Sequence, residues 1–377
     1  MNKKLIPLAL VALVGVTTLA SCGGSTKTDK DVFAISYNLS DPNMSGLWKP
    51  GLEEASVAEG FNKLSLQDAK NDDGEAVKMV EAAVSEGYGA YLINVVDQSN
   101  GKSYLNKVKD TGKPLIFWNR EVSKDVMSSY DKAYYVGIES AEGGRYQGAM
   151  AAEYVNEKGF DALDRNHDGK LGVIVVRGEK GHADAEARTL YSPMYLERNL
   201  TGGNKAAEGE VSNTTYTQKG TWNKVDVKAI VDGTDTAGTT WEPVTAANEV
   251  ARVLTEQGDA IDLVLSNNDG MALGIVTNDK FKEAGIPVWG VDALSDAIAE
   301  IKKEGTQFMG TVKNDGNAQA KVCLKVARNL VDGEDAGKGL TVVNTKAEWE
   351  AKGDSIWYDA ETKSFRVHHA KITKANA

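Results

Sequence analysis

GVIVVRGEKGHADAEAR, residues 172–188, runs from a β-branched stretch through a glycine-flanked loop into a helix start. VIVV (Val173–Val176) reads as a buried strand, and His182, Asp184 and Arg188 fall where that strand gives way to the helix. An imidazole, a carboxylate and a guanidinium then converge at the C-terminal end of a strand, where open α/β sheets bind ligands. Their directional donors and acceptors suit a small polyhydroxylated molecule. A solvated loop before a salt-bridged helix start would use the same residues, so the rest of the chain decides.

Working outward, short apolar runs alternate with amphipathic stretches. VFAISY (32–37), AYLINV (90–95), PLIFWN (114–119) and YYVGI (134–138) read as strands, and Val77, Val80 and Val84 mark a helix ending near Gly87. The pattern then repeats with GVIVV (172–176), DLVLSNN (262–268), PVWGVDA (287–293) and FMGTVKN (308–314). Apolar strands separated by helices argue for parallel sheets covered on both faces, and two series imply two lobes. Asp41, Asn119, Asn268, Asp292 and Asn314 each stand at or after a strand's C-terminal end. Singly, each is explained as a turn former or helix cap; together they form a ring of amides and carboxylates around one crevice. A polar, weakly periodic segment, about 204–234, reads as a surface insertion.

Composition narrows the partners. The 377 residues carry a net charge of −11, with 41% hydrophobic residues and 38 Gly, enough for two cores. Residues 1–21 hold Lys3, Lys4 and no acid, so their removal would leave −13. Such an acidic chain without a basic run is a poor partner for nucleic acid or an anionic lipid surface. The charged start and the apolar segment Leu5–Leu19 read as a signal peptide too short to span a bilayer. It ends in Leu19-Ala20-Ser21-Cys22, which resembles a bacterial lipobox and implies lipidation of Cys22. The only other cysteine, Cys323, lies at helical spacing with Ala320, Leu324 and Ala327 and reads as a core residue. Residues 22–30 form a polar tether of roughly 25 Å. The expected product is exported and held at a cell-envelope membrane by lipid alone.

Seven segments in order give the chain a resemblance to the bacterial galactose/glucose-binding proteins, receptors of sugar ABC transporters. They are INVVD (93–97), FWNRE (117–121), SYDKAYYVG (129–137), GEKGHADAEAR (178–188), SNNDGMALG (266–274), WGVDAL (289–294) and GTVKND (310–315). The resemblance covers about residues 32–334. It implies a two-lobed periplasmic binding protein type I fold, each lobe a parallel sheet flanked by helices, joined by three crossing strands. It also implies that Asp41 accepts from the C4 hydroxyl of D-galactose or D-glucose, tolerating both epimers. Asn119, His182, Asp184, Arg188, Asn268, Asp292 and Asn314 would supply the other hydrogen bonds, and Trp241 would stack on one pyranose face. In the family a second aromatic follows the first carboxylate by two residues; here that position is Asn43. Stacking there falls to Leu47, Trp48 or Trp118, or the pocket is open or tuned to another epimer.

DRNHDGKLG (164–172) places Asp164, Asn166 and Asp168 at alternate positions before Gly169, as at the start of an EF-hand loop. The twelfth position is Val175, so a distant acid must complete any calcium shell; the resemblance implies a structural Ca2+ with the Lys170 carbonyl and Asp262 as further ligands. Two departures stand out. The ninth loop position is Gly172, and Asp262 is one methylene shorter than the family's glutamate.

An enzyme is the first rival, since His182 and Asp184 could pair as base and orienter, but no Ser or Cys nucleophile motif accompanies them. A repressor of the same fold would need a basic helix-turn-helix at the N-terminus, where the lipobox stands. The expected function is a monomeric receptor that shuts on D-galactose or D-glucose by hinge motion and passes it to an ABC permease. A receptor for another monosaccharide, or a chemosensory receptor engaging a chemoreceptor, is the alternative. Lobe one is expected over 31–136 and about 314–344, and lobe two over 137–313 and about 345–377. The crossings are placed near 136–137, near 312–314 and after Asn344.

Overall fold

The computed structural model describes residues 30–212 and 215–377. The signal segment, Cys22 and most of the tether lie outside the described residues. Among the described residues no helix is long and apolar enough to cross a membrane.

The first lobe opens with β1 (Asp31–Ser36), β2 (Lys63–Asp68), β3 (Ala90–Ile93), β4 (Leu115–Trp118) and β5 (Ala133–Gly137). The second carries β6 (Leu171–Arg177), the antiparallel pair β7 (Glu208–Ser212) and β8 (Thr215–Lys219), then β9 (Val225–Asp232), β10 (Leu263–Ser266), β11 (Val288–Val291) and β12 (Phe308–Lys313). Near the C-terminus follow β13 (Val342–Val343), β14 (Ile356–Asp359), β15 (Ser364–Arg366) and β16 (Ala370–Thr373). One sheet has the order β13-β14-β15-β5-β4-β3-β1-β2, the other β16-β12-β11-β10-β6-β9. Both are parallel except where β14 meets β15 and β12 meets β16.

Alternation along the strands builds two cores per lobe. Val32, Ala34, Leu92 and Ile116 pack on one face of the first sheet, and Phe33, Ile35, Tyr91 and Leu115 on the other. In the second sheet Val173, Val175 and Leu265 face one way, Ile174, Val176 and Val264 the other. Strands buried on both faces must be apolar throughout, which is why these runs carry no polar alternation. Cys323 is fully buried in the first-lobe core, on the helix Gly316–Val331. Trp48 and Trp118 are also fully buried, their rings 4.6 Å apart, so neither supplies a wall of the cleft.

The third crossing differs from expectation. The segment after Asn344 does not return to lobe two: β14 and β15 extend the first sheet, with Ser364–Arg366 beside Tyr135–Gly137. The chain crosses between β15 and β16, at residues 367–369, so 345–366 belongs to lobe one. Such short strands carry no local signal of which sheet they join. The supposed insertion also divides. Glu208–Ser212 pairs antiparallel with Thr215–Lys219 in a separate two-stranded sheet, whereas Val225–Asp232 is an edge strand paired with β6. Most of its side chains are half-buried, which explains the weak apolar pattern.

Helix Ser140–Lys158, the first element after the first crossing, packs on helix Ala183–Asn199, which begins at the GHADAEAR loop. Their contact depends on Gly148, where a Cβ would lie 2.2 Å from the carbonyl oxygen of Ser192 and 2.7 Å from the amide nitrogen of Leu196. Gly148→Ala should force the helices apart and destabilise the protein by roughly 1–3 kcal/mol. A clear fall in Tm by circular dichroism is expected; an unchanged Tm would refute so close an approach.

Candidate functional site

In both sheets the first strand of the lobe has the second on one side and the third on the other. That is the 2-1-3-4-5 order, whose switch point lies beyond the C-terminal ends of the first and third strands. The loops after β1 and β6 therefore face each other across a crevice. All nine residues expected to hold the ligand line one cleft there: Asp41 and Asn119 from lobe one; His182, Asp184, Arg188 and Trp241 from lobe two; Asn268 and Asp292 also from lobe two; and Asn314 at the second crossing. The space they enclose is about 380 Å3, part of it open to solvent.

Local chemistry fixes each group. Asp41 Oδ1 accepts the backbone N–H of Asn43 at 2.8 Å and of Met44 at 3.0 Å, which starts the turn Met44–Trp48, and the Tyr37 hydroxyl also donates to the carboxylate. Asn119 adopts φ 61°, a left-handed conformation that asparagine tolerates, and its Oδ1 accepts from Asn94. His182 N-caps helix Ala183–Asn199: its Nδ1 accepts the Asp184 N–H at 3.2 Å. Burial, reinforced by the charge of Arg120, lowers the His182 pKa to about 4. The ring is therefore neutral, with Nε2–H as a donor. Asn268 caps the helix Asp269–Thr277 through Oδ1, which leaves its Nδ2 to donate.

Charge balance sets the rest. Burial alone would raise the Asp184 carboxyl, but His182, Arg188 and the Ser140 hydroxyl, which donates to it at 2.5 Å, hold it below its ordinary value. Arg188 is itself buried and donates from Nη1 to the Asn267 carbonyl at 2.9 Å. Asp292 takes φ 119° and accepts from Asn314 Nδ2 at 3.2 Å. Burial pushes its carboxyl up to about 7, against the pull of Arg188 and with the repulsion of Asp41. Trp241 sits on Gly178, where a Cβ would lie 1.9 Å from the indole, and its Nε1 donates to Glu179 at 3.2 Å. Only glycine permits that seat.

Tyr37, Asn43, Met44 and Arg120 also line the cleft, and none was expected as a ligand-holding residue. Arg120 follows Asn119 directly in FWNRE, a signal available in the sequence; its guanidinium lies 3.8 Å from the Tyr37 ring centroid. It reaches across the cleft to Glu179 at 2.8 Å. Gln98 of lobe one also accepts the Ala183 N–H of lobe two at 3.1 Å. These two links join the lobes at the cleft's edge.

The 164–172 loop lies at the opposite end of β6. Asp164 accepts from the backbone of Asp168 and Gly169, Asn166 from Asp168, and Asp168 from Lys170. Asp262 accepts from Arg165 at 2.9 Å and Gly172 at 2.6 Å. Asp164 and Asp262 are both buried, and burial with the nearby Asp164 charge raises Asp262 to about 6. The two buried carboxylates accept backbone amides, with the Arg165 guanidinium acting on Asp262 and Lys228 near the loop rim as the neighbouring positive charges, and a bound cation would add to that compensation. The ninth position is glycine because the Ala260 carbonyl oxygen would lie 1.8 Å from a Cβ there. Among the described residues no three acidic, His or Cys side chains cluster as a metal site, so a cation here would depend on neutral oxygens. The donor set fits a hard cation that accepts carbonyl and amide oxygen.

Comparison with known proteins agrees with this architecture. A family model described as "Periplasmic binding protein domain" matches residues 33–335. The D-galactose/methyl-galactoside binding periplasmic protein of Haemophilus influenzae is 32% identical over 350 residues, covering 93% of each chain. The ribose import binding protein of Bacillus subtilis is 24% identical, covering 84% of this chain and 88% of that one. A solved periplasmic solute binding protein from Actinobacillus succinogenes, with bound D-allose, superposes with TM-score 0.68 at 16% identity, covering 92% of this chain and 98% of the other. A Bacillus halodurans solute binding protein with bound myo-inositol gives TM-score 0.66 at 20% identity, covering 94% and 97%. Each of these proteins is named for binding a sugar or another solute. The chain belongs to the periplasmic binding protein family, with the two-lobed type I fold.

Proposed function

We propose that this chain is an exported receptor that closes on one hexopyranose, D-galactose or D-glucose, and presents it to an ABC permease. One observation carries the reading: side chains from both lobes surround a single space with alternating donors and acceptors and one indole wall. Vicinal hydroxyls both donate and accept, so carboxylates, amides and a guanidinium can bridge pairs of them, while Trp241 covers ring C–H. Contacts from both lobes exist only when the cleft is shut, so binding shifts the population toward closure. The Haemophilus influenzae relative, named for galactose binding, supports the choice of sugar. Acylation at Cys22 would hold the monomer at the membrane. A chemosensory role on the same scaffold is the alternative reading.

Calorimetric titration should show saturable binding of D-galactose or D-glucose, and Arg188→Ala should weaken it by at least about 100-fold, as loss of a buried charged donor predicts. Retained wild-type affinity would overturn the assigned site.

Asp292 adds a pH dependence. A sugar hydroxyl donating to its carboxylate favours the ionised form, so affinity should fall as pH drops below about 7 and binding should release a proton there. The sugar-free fold, which holds that proton more tightly than the unfolded chain, should lose stability as pH rises from about 4 toward 7. Titrations at about pH 6 in buffers of different ionisation enthalpy check the first point; equal heats would count against it.

Calcium at the 164–172 loop is part of the same proposal. Asp164, Asn166, Asp168, the Lys170 carbonyl and Asp262 would hold it, and the ion would tie the loop to the start of β10 without touching the sugar. Added calcium should raise the Tm of the chelator-treated protein, whereas Asp164→Ala should abolish that rise and leave sugar affinity within about twofold.

A further inference from the structure

Asn43 lines the cleft without capping a helix or closing a turn with its side chain. It precedes the turn Met44–Trp48, yet its side chain does not cap it. Its own N–H is bound by Asp41 Oδ1. The residue is 8% exposed, and neither Oδ1 nor Nδ2 has a hydrogen-bond partner among the described residues. It stands near enough to Asp292, across the cleft, to favour that carboxylate's charged form. That contact is loose and falls short of hydrogen-bond geometry, and a buried amide held by no closer partner is unfavourable unless something in the cleft completes it.

Its position relative to Trp241 gives that something a shape. Trp241 lines the space from lobe two and Asn43 from lobe one; a ring seated flat on the indole would then turn its other face toward the lobe that carries Asn43. A six-membered polyol with every hydroxyl equatorial shows axial C–H on both faces. Turning one hydroxyl axial places an oxygen on one face and leaves the other apolar. We infer that Asn43 is a specificity-determining residue that hydrogen-bonds an axial hydroxyl on the ligand face turned away from Trp241. The cleft then selects a pyranose or cyclitol with one axial hydroxyl over an all-equatorial ring. This rests on the proposed sugar-receptor reading and narrows it. An amide both donates and accepts, so it can complete a hydroxyl in either sense, and an all-equatorial ring leaves it unpaired.

The test is calorimetric titration of the full chain with two matched pairs, methyl β-D-galactopyranoside against methyl β-D-glucopyranoside and myo-inositol against scyllo-inositol, using wild type, Asn43→Leu and Asn43→Phe. The first member of each pair carries one axial hydroxyl and the second none, and neither pair mutarotates. Wild type should bind the first member of at least one pair about tenfold or more tighter than the second, the weight of one hydrogen bond to a desolvated partner. Asn43→Leu should bring that ratio to within about twofold, chiefly by weakening the axial-hydroxyl ligand. Asn43→Phe, which supplies an apolar second wall, should move the preference toward the all-equatorial ring. Circular dichroism identifies a variant that fails to fold, and the other then decides. Equal or tighter binding of the all-equatorial ring by wild type, or a preference unchanged in the folded variants, overturns the role of Asn43 and leaves the sugar-receptor reading standing. Binding of neither pair, nor of free D-galactose or D-glucose, overturns both.

Discussion

Placing carboxylates between two protein layers is unfavourable unless cations and oriented dipoles go with them, and in this cleft Arg188 supplies part of that compensation, beside His182, Arg120 and the backbone N–H groups. It depresses the Asp184 carboxyl and opposes the burial that lifts Asp292. Its own Nη1 is fixed by the Asn267 carbonyl, so the charge is aimed rather than free to search for partners. Positive potential from Arg120 and Arg188, added to burial, keeps His182 neutral, and its cap bond to Asp184 sets which nitrogen carries the proton. Burial and the two guanidinium groups together thus set the protonation of their neighbours, and with it which atoms donate and which accept.

That arrangement exists because both lobes repeat one topology. In each sheet the strand order reverses at the first strand, and the loops that leave the reversal carry the cleft residues. Caps do double work there. Asn268 and His182 each satisfy a helix N-terminus with one atom and present another to the cleft, so helix formation and site formation are one event. Trp241 and Gly178 show the same economy: removing a side chain from one loop makes the seat for the indole of another.

Much of this was legible in the sequence. Doubly buried strands announce themselves as unbroken apolar runs, and polar residues at their ends mark the crevice whether or not they also cap helices. Edge strands were harder. KLSLQD of β2 is largely half-exposed, and β9 mixes Lys and Asp into its run, so neither produces the apolar signature. The destination of residues 345–366 was misjudged because pairing with β5 is a long-range property that three- and four-residue strands cannot encode locally. Asn43 was visible as a departure from the resembling family, but its unpaired amide is a three-dimensional fact. Arg120 was passed over because its partners, Tyr37 and Glu179, come from distant loops that only the closed cleft brings together.

The position of the third crossing bears on how the molecule assembles. Because Ser364–Arg366 must slot beside Tyr135–Gly137, the edge of the first sheet stays unsatisfied until nearly the whole polypeptide is present. Strands β1–β5 can pair among themselves, but the lobe keeps an open strand edge at β5 until that segment arrives. Closing so long a loop is entropically slow. An exposed β5 edge in the meantime is where premature self-association would begin.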